Sequence, residues 1–202
     1  MANDCLTFEN QSASIPRLAI FKKSYNLPAL GLIAWRIVAP SQGGICTVDV
    51  PADFEVYVST GGEDDPTGGC RTKKVDLSTF TGRIKVLPRP VDDNTGYVPD
   101  IQRVTDGVVD NEIHISNSFS TGVWGHILLG GEDVYPPQII TPGETLMADV
   151  RPSFFVAHVS QFVRKGTRLV EAELTDKAVE MLPGQKLVVT GSRMNGFAFD
   201  VT

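Results

Sequence analysis

The sequence predicts an all-β protein, a two-sheet antiparallel β-sandwich built from an internal duplication, with at most one or two short helices. Three observations predict this class. Most apolar runs are short, rich in β-branched and aromatic residues, and bounded by Gly, Pro, Asn or Asp, which is typical of strands joined by turns. Helix signals are nearly absent. Short motifs occur twice along the chain, and 202 residues suit a single sandwich domain over 1–202.

The repeated motifs define the predicted duplication. An opening strand, an apolar stretch that ends in Pro, and a strand that follows a Pro bend each occur in both halves. The pairs are Leu6–Ser12 with Ile113–Ser118, Ile37–Pro40 with Ile139–Pro142, and Val48–Ser59 with Ala148–Ser160. We therefore expect a first repeat over about 5–60, a loop-rich connector over about 61–111, a second repeat over about 112–161, and C-terminal strands over 162–202.

Thirteen strands are expected in chain order, because each apolar run is short and closed by turn residues. Two short helices are open alternatives. Thr175–Leu182 has Thr175 as a helix cap and Pro183 as a stop, and Pro28–Val38 suits either a helix or a strand. The expected strands are 5–10, 17–23, 31–38, 45–50, 53–59, 83–87, 112–116, 122–129, 145–149, 154–160, 168–174, 185–190 and 196–201.

The connector is rich in Gly, Asp and Thr, and its part from Val91 to Asn111 has little periodicity. Long loops are usually functional or mobile, so this segment is interpreted as a lid over one end of the sandwich or as an inert connector. The motif Gly-Gly-Glu-Asp occurs at 61–64 and again at 130–133. It is similar to a signature of cyclic-dinucleotide synthases, but these need an α/β context. A solvated turn or a calcium loop are the readings that we keep.

Charge and composition exclude several classes of function. The net charge of −6 argues against nucleic-acid binding, which needs a concentrated basic surface. The chain begins without the basic and apolar regions of a signal peptide, and its longest apolar run is too short to cross a membrane. Its three cysteines are widely spaced, which is typical of a reducing compartment. We expect a cytoplasmic protein without a cofactor and without a membrane partner.

Four short motifs resemble the rhizosphere-induced rhiA-type proteins. The motifs lie in the opening strand, the second strand, the Leu-Ala-Trp region and the strand after the second Pro bend; they are Leu6–Ser12, Ile20–Lys23, Leu32–Trp35 and Val150–Val156. They differ from the family pattern where Ile33 interrupts Leu-Ala-Trp and where Phe154 and Phe155 replace the usual aromatic residues. The resemblance implies a cytoplasmic β fold. It implies no catalytic residue, since the family has no established activity to transfer.

Two histidines and a tyrosine are candidate catalytic residues. His126 shares a strand face with Trp124 beside Gly125, which suits the wall of a pocket as well as a packed core position. His158 shares its face with Phe154, and its partner in the other repeat is expected to be Tyr57. Each ring is interpreted either as a buried hydrogen-bonded group or as an acid–base group. A metal pair of the two histidines lacks a third ligand, so no metal site is predicted.

Asp149 is the remaining catalytic candidate, because it corresponds to Asp49 in the first repeat. Two such carboxylates could share a proton if they met. The alternative is that each aspartate caps the Pro bend through its own backbone. Candidate ligand-binding residues are the aromatic side chains of Trp35, Trp124 and Phe155, each of which would serve equally well in the core.

Three classes of function follow. The first is a soluble β-sandwich that binds an apolar or sugar-like small molecule, and the second is a cofactor-independent cyclase or isomerase that acts on a hydrophobic metabolite by acid–base catalysis. The third, an assembly or membrane role, is disfavoured by the acidic charge. The partner is expected to be a small-molecule ligand, and a homodimer is left open. Replacing His126 with Ala is predicted to leave folding nearly intact and to abolish ligand binding.

Overall fold

The computed structural model describes residues 5–25, 31–61, 69–77, 81–91, 96–170, 174 and 177–202. These residues form nineteen strands and no helix. The strands are β1 Cys5–Asn10, β2 Leu18–Phe21, β3 Leu32–Ile33, β4 Arg36–Val38, β5 Ile45–Asp49, β6 Phe54–Ser59, β7 Val75–Leu77, β8 Gly82–Pro90, β9 Tyr97–Val104, β10 Glu112–Asn117, β11 Val123–Leu129, β12 Glu132–Asp133, β13 Gln138–Ile140, β14 Thr145–Asp149, β15 Phe154–His158, β16 Arg168–Leu169, β17 Val179–Met181, β18 Lys186–Ser192 and β19 Gly196–Val201. The all-β prediction is confirmed for this part of the chain.

The chain divides into two compact units, and each unit contains strands from both halves of the sequence. Unit 1 consists of Met1–Lys23, Gly31–Ala52 and Pro152–Thr202. Unit 2 consists of Ser24–Leu30 and Asp53–Arg151. Apart from the short segment Ser24–Leu30, the chain passes between the units at the two Pro bends, after Ala52 and after Arg151.

Unit 1 contains two four-stranded sheets and one small ribbon. The first sheet has the order β19-β18-β1-β5 and the second has the order β17-β15-β2-β4, while β16 pairs with β3. The pairing of β1 with β18 is parallel, and every other pairing of these strands is antiparallel. A parallel pair requires a long connection, and this pair joins the first strand of the chain to the last hairpin.

Unit 2 repeats this scheme of pairing. One sheet has the order β14-β10-β8-β9, with β10 parallel to β8, and the other has the order β12-β11-β6-β7 with β13 also paired to β11. The pairs β10–β14, β8–β9, β11–β6, β11–β13 and β6–β7 are all antiparallel. Each strand neighbour in the main sheets of unit 1 therefore has an equivalent in unit 2, in the same direction.

The two opening strands show why the core forms where it does. In β1, Leu6 and Phe8 are fully buried between half-buried neighbours, and in β10 Ile113 and Ile115 occupy the matching places. Alternate side chains of a strand point to opposite faces, so this pattern turns one apolar face of each sheet inward. Fully burying one such side chain contributes roughly 1.5–3 kcal/mol.

Each opening strand ends at a buried asparagine that ties a turn in place. The Nδ2 group of Asn10 donates to the carbonyl oxygens of Ser14 and Pro40, at 2.9 and 3.0 Å. The backbone carbonyl oxygen of Asn10 accepts from the backbone N–H of Gly43. The φ angle of Gly43 is 68°, a value that glycine adopts without strain. A buried amide needs such partners. The bonds with Pro40 and Gly43 hold the turn before β5 against the end of β1, and the bond to Ser14 fixes the segment that follows β1.

Asn117 makes the same bonds in unit 2. Its Nδ2 group donates to the carbonyl oxygens of Thr121 and Ile140, at 2.9 and 2.8 Å. The backbone carbonyl oxygen of Asn117 accepts from the backbone N–H of Gly143, where φ is 85°. The Pro-Gly turns predicted at 40–44 and 142–143 are therefore anchored in the same way in both units.

The predicted helix over Thr175–Leu182 is wrong where the structure describes it. Val179–Met181 form β17, which pairs with β15 from Phe154 to Val156. The strand forms in place of the helix because β15 would otherwise expose an unpaired edge. Pairing in the tertiary structure outweighs a weak local helix propensity. Thr175 and Asp176 lie outside the described residues.

The alternatives for Pro28–Val38 resolve to strands over the described part. Leu32–Ile33 form β3 and Arg36–Val38 form β4, and β4 pairs with β2. Residues 26–30 lie outside the described part of the chain. Trp35 stands between the two strands with its side chain fully buried.

The segment expected to be loop-rich contains three strands, β7, β8 and β9. The Tyr97–Val104 strand, β9, was not among the expected strands, and it pairs with β8 over eight residues. Pro99 weakens the strand signal of this stretch, but a proline is tolerated there because β9 is the edge strand of its sheet. The segment Val91–Asn111 is therefore not a loop throughout, since 97–104 form a strand, and the lid interpretation stays a prediction. Residues 92–95 lie outside the described part.

Candidate functional sites

A cavity of about 520 Å³ lies in unit 1 at the end of β15. Its walls come from the segment before β2, from the end of β15 with the turn after it, and from the β18–β19 hairpin. The lining residues are Ile15, Arg17, His158, Val159, Ser160, Gln161, Phe162, Arg193, Gly196 and Phe197. Clefts of 300–1,000 Å³ are the usual size for small-molecule sites.

The charge of this cavity is opposite to that of the chain. Arg17 and Arg193 line it, and none of the described lining residues is acidic, although the whole chain carries a net charge of −6. The guanidinium of Arg17 is held in place because its Nε and Nη2 groups donate to the carbonyl oxygen of Val163, at 3.1 and 2.6 Å. The cavity therefore favours an anionic group.

The remaining walls are apolar. The ring of Phe197 is buried and lies against the imidazole of His158, with ring centroids 4.6 Å apart and planes tilted by 56°. Ile15 and Phe162 are 62% and 80% exposed, which is unusual for large apolar side chains next to a concave surface. They offer contact area to a ligand that also carries an apolar part.

A second cluster of polar side chains lies in unit 2, on the β6–β11 pair. Tyr57 and His126 face each other in this ladder, and their rings stack with centroids 4.1 Å apart and planes 11° apart. The guanidinium of Arg71 lies 3.7 Å above the ring of Tyr57. The structure thus brings together two of the predicted catalytic residues, and it adds a cation that the sequence did not suggest.

The imidazole of His126 has a polar partner on each side. Its Nδ1 lies 3.3 Å from Oδ1 of Asp133, and its Nε2 lies 3.4 Å from Oγ of Ser59. The Oγ of Ser59 also donates to the carbonyl oxygen of Gly61 at 3.0 Å. His126 is 8% exposed, while Ser59 and Asp133 are half-buried. We call these three residues with Tyr57 and Arg71 the His126 cluster.

Ladder positions identify the matching places in unit 1. Leu18 pairs with both Val38 and His158, as Gly125 pairs with both Gln138 and Val58. By position, the counterpart of His158 is thus Val58 and not Tyr57, so the expected pairing of His158 with Tyr57 is corrected. The same registers match His126 to Ala19, Tyr57 to Ala157 and Ser59 to Val159.

Asp149 is the buried last residue of β14 and already has partners. Its Oδ1 accepts from the backbone N–H of Arg151 at 3.0 Å, and its Oδ2 lies 3.1 Å from Nε of the same arginine. This is the backbone-capping alternative of the sequence analysis. Asp49 belongs to unit 1, where it is exposed at the end of β5. Neither residue's contacts form the shared-proton pair.

The hydroxyl of Tyr135 donates to the backbone carbonyl oxygen of Asp149. Burial, reinforced by the charge of Asp149, raises the pKa of Tyr135 far above its usual range. The tyrosine therefore stays neutral and acts as a fixed donor in the core of unit 2.

The three aromatic candidates lie at different depths. Trp35 is buried in unit 1 and stacks on Phe154 with centroids 5.2 Å apart. Phe155 belongs to a buried apolar cluster with Phe21. Trp124 is half-buried and faces Ser59 in the β6–β11 ladder, so it shares a sheet face with the His126 cluster. Of the three aromatic candidates, Trp124 is the one that lies beside a polar cluster.

The glycines of the second Gly-Gly-Glu-Asp motif form an exposed turn, as one of the two interpretations expected. The aspartate of this motif, Asp133, is the partner of His126, and Gly130 and Gly131 form a turn with positive φ between β11 and β12. Over the described residues, no group of three or more His, Cys, Asp or Glu side chains is placed to hold a metal ion. Residues 62–64 of the first motif lie outside the described part.

Several residues of these sites were missed by sequence reasoning. Arg17 and Arg193 stand in segments without a recognisable motif, so no sequence signal marked them. Ser59 and Asp133 were seen only as members of repeated motifs. Arg71 stands near Lys73 and Lys74, and a short basic run of this kind marks no site by itself. Proximity in the fold, which one sequence does not encode as spacing, is what joins them.

Comparison of the chain with protein-family models, with curated proteins and with solved structures finds no match. Within the described part of the chain, no helix is long and apolar enough to cross a membrane.

Proposed function

We propose that the protein binds a small molecule with an apolar body and an anionic group in the cavity of unit 1. The observation that carries this proposal is the lining itself, in which Arg17, His158 and Arg193 stand beside Phe197 without an acidic neighbour among the described lining residues. A few polar groups set in apolar walls are typical of small-molecule sites. A cytoplasmic location and membership of the rhiA-type family stay predictions.

The ligand class is narrower than the apolar or sugar-like molecule expected from the sequence. A guanidinium group binds carboxylate, phosphate or sulfonate through two parallel donors, and Arg17 is held by Val163 so that less side-chain entropy is lost on binding. The exposed rings and methyl groups of Phe162 and Ile15 suit an aromatic or aliphatic body more than a sugar.

The alternative function, a cofactor-independent cyclase or isomerase, needs acid–base groups at the ligand. Two of its candidate groups, His126 and Tyr57, stack in unit 2 and do not line this cavity. Ligand binding in unit 1 and catalysis in unit 2 are therefore two separate hypotheses, and each needs its own test. His158 is the candidate acid–base group that lines the binding cavity.

We also infer that the fold is a duplicated β-sandwich in which each unit combines the first part of one repeat with the second part of the other. The matching ladders support this inference, as do the identical bonds of Asn10 and Asn117. The two crossings at the Pro bends, after Ala52 and Arg151, separate the parts at equivalent positions.

Fluorescence titration with 8-anilinonaphthalene-1-sulfonate, an aromatic anion, tests the binding proposal. We expect saturable binding at one site, weakened at least about tenfold by Arg193→Met, since one tenfold change corresponds to about 1.4 kcal/mol. His126→Ala, in unit 2, is the control and should leave the titration unchanged. This expectation replaces the earlier one, because the proposed ligand site no longer includes His126.

Two results would contradict the binding proposal. One is a titration that Arg193→Met leaves unchanged while His126→Ala weakens it, which would move the site to unit 2. The other is the absence of saturation in the folded wild-type protein. Arg89→Ala, which changes an exposed arginine on β8 of unit 2, controls for the loss of one positive charge.

A further inference from the structure

The His126 cluster has the connectivity of a nucleophilic site. From one side to the other, the atoms run Ser59 Oγ, His126 Nε2, His126 Nδ1 and Asp133 Oδ1, with gaps of 3.4 and 3.3 Å. A hydroxyl, an imidazole and a carboxylate in this order are the nucleophile, the base and the group that orients the base. Such bonds are often long in a protein without substrate and shorten when the substrate binds.

The surroundings of His126 hold its ring in one orientation. The ring of Tyr57 covers one face at 4.1 Å, and the ladder between β6 and β11 fixes both backbones. When Nδ1–H donates to Asp133, the lone pair of Nε2 points at the hydroxyl of Ser59. In this tautomer Nε2 accepts a proton from serine once the hydroxyl of Ser59 turns toward the imidazole from the carbonyl oxygen of Gly61, to which it donates in this structure.

Unit 1 provides evidence that the fold does not need these polar groups. At the matching ladder positions it has Ala19, Ala157 and Val159, which belong to one buried apolar cluster. The strand bridge between Ser59 and Arg71 likewise has its match in the bridge between Val159 and Leu174. The same backbone therefore packs with small apolar side chains where chemistry is not required.

Arg71 adds a permanent positive charge at the edge of the cluster. Its backbone bridges to that of Ser59, and its guanidinium covers the outer face of Tyr57. A guanidinium keeps its protons at every physiological pH, so its role is to attract negative charge and not to transfer protons.

We propose that Ser59, His126 and Asp133 form a site that hydrolyses carboxylic esters. The Oγ of Ser59 bonds to the ester carbonyl carbon while its proton passes to Nε2 of His126. The C–O bond to the leaving alcohol then breaks, and the alcohol takes that proton from Nε2. Water then adds to the acyl carbon while one of its protons passes to Nε2. The bond between that carbon and Oγ breaks, Oγ takes the proton from Nε2, and the carboxylic acid is released.

Asp133 is a positioning residue in this proposal, since it acts through His126. An aspartate at Nδ1 keeps the proton on that side of the ring, whereas an amide that donates to Nδ1 selects the wrong tautomer. Asp133→Asn should therefore lower kcat for an ester substrate and leave KM near its wild-type value. If Asp133 had a purely structural role, Asp133→Asn would lower the folded fraction of the protein, and kcat would fall in proportion to that fraction.

The test uses a fluorophosphonate probe and the hydrolysis of p-nitrophenyl acetate by the full chain. In the labelling reaction, Oγ displaces fluoride from phosphorus, so the protein gains one phosphonyl group. We expect one adduct by intact mass, located at Ser59 by peptide mapping. Ser59→Val, which installs the residue found at the matching position of unit 1, should abolish the adduct and slow hydrolysis by about 100-fold or more.

Ser116→Ala is the matched control, because Ser116 is a half-buried serine on β10 of unit 2 that belongs neither to the His126 cluster nor to the lining of the unit 1 cavity. It should change neither the labelling nor the rate. The proposal is overturned if the folded wild-type protein gains no adduct, if the adduct maps to another residue, or if Ser59→Val hydrolyses the ester at the wild-type rate. The wild-type labelling result does not depend on whether any variant folds.

Discussion

Unit 1 and unit 2 use one pattern of strand pairing for two different interiors. Where unit 2 has Tyr57 stacked on His126, unit 1 has Ala157 opposite Ala19. The apolar site joins a buried cluster, whereas the polar site gathers a serine, an aspartate and an arginine around the two rings. The same strand pairing thus accommodates apolar side chains in unit 1 and polar side chains in unit 2.

The difference between the apolar and the polar side chains at these positions distinguishes residues that stabilise the fold from residues that a function would require. A buried apolar cluster is stabilised by the transfer of its side chains out of water. Half-buried polar groups contribute little net stability, because each hydrogen bond replaces one with water. If the polar side chains of unit 2 serve chemistry, as proposed above, then exchanging residues between the units should cost more stability in unit 1 than in unit 2.

The largest effect is expected when a unit 2 residue is placed in unit 1. Ala19→His inserts a large polar ring into a fully buried position among Phe21, Phe155 and Ala157. Overpacking and an imidazole without a designed partner should lower the free energy of unfolding by about 3 kcal/mol. Urea denaturation followed by circular dichroism measures this.

The control for Ala19→His is the reverse exchange, His126→Ala, which should cost clearly less. Equal losses for the two exchanges would mean that the imidazole of His126 is as important to packing as the alanine of unit 1. The distinction drawn here between the two interiors would then fail.

A smaller asymmetry is expected at the next matched pair. Val159→Ser buries a hydroxyl where the side chain is 1% exposed and removes two methyl groups, so we expect a loss of about 1–3 kcal/mol in unfolding free energy. Ser59→Val should change it by about 0.5 kcal/mol or less, because Ser59 is half-buried. Chemical denaturation of both variants gives the comparison. Similar losses in both would contradict it.

The smallest expected effect on stability concerns two aromatic residues that precede matching strands, Trp35 before β4 and Tyr135 before β13. Of these two side chains, only the phenol of Tyr135 titrates. Because the pKa of Tyr135 is raised in the folded protein, its stabilisation is fully present below the unfolded value near 10 and is lost as the pH rises above 10. The alkaline unfolding of wild type should include this loss.

Tyr135→Phe measures that contribution. The variant should lose about 1 kcal/mol at neutral pH with the hydrogen bond to Asp149, and it should show a weaker decline of stability above pH 10. Thermal melts from pH 7 to 11 compare the two proteins. An unchanged alkaline decline in the variant would assign it to other groups.

Sequence reasoning predicted most of the strands because short β-branched runs between turn residues carry a local signal. It placed β1 and β10 well, since alternating burial is visible as alternating residue type. It missed β7, β9, β12 and β13, and it offered a helix for the segment that contains β17. These errors arose where pairing with a neighbour, and not local preference, decided the conformation.

The candidate sites were predictable only in part. His126 and Tyr57 stood out as polar rings on apolar strands, and the structure stacks them. His158 stood out for the same reason and lines the cavity. Arg17 and Arg193 gave no signal, because a charged residue in a turn is common and its meaning depends on what lies across from it.

The sequence by itself determined an all-β chain, the places of its turns and the recurrence of its strand motifs, because turn chemistry and side-chain alternation act over a few residues. Only the tertiary structure decided which strands pair, that Ser59 meets His126 and Asp133, and that Arg17 and Arg193 line one cavity. These contacts join residues far apart in the chain, and their energy comes from burial and pairing that no local segment can express.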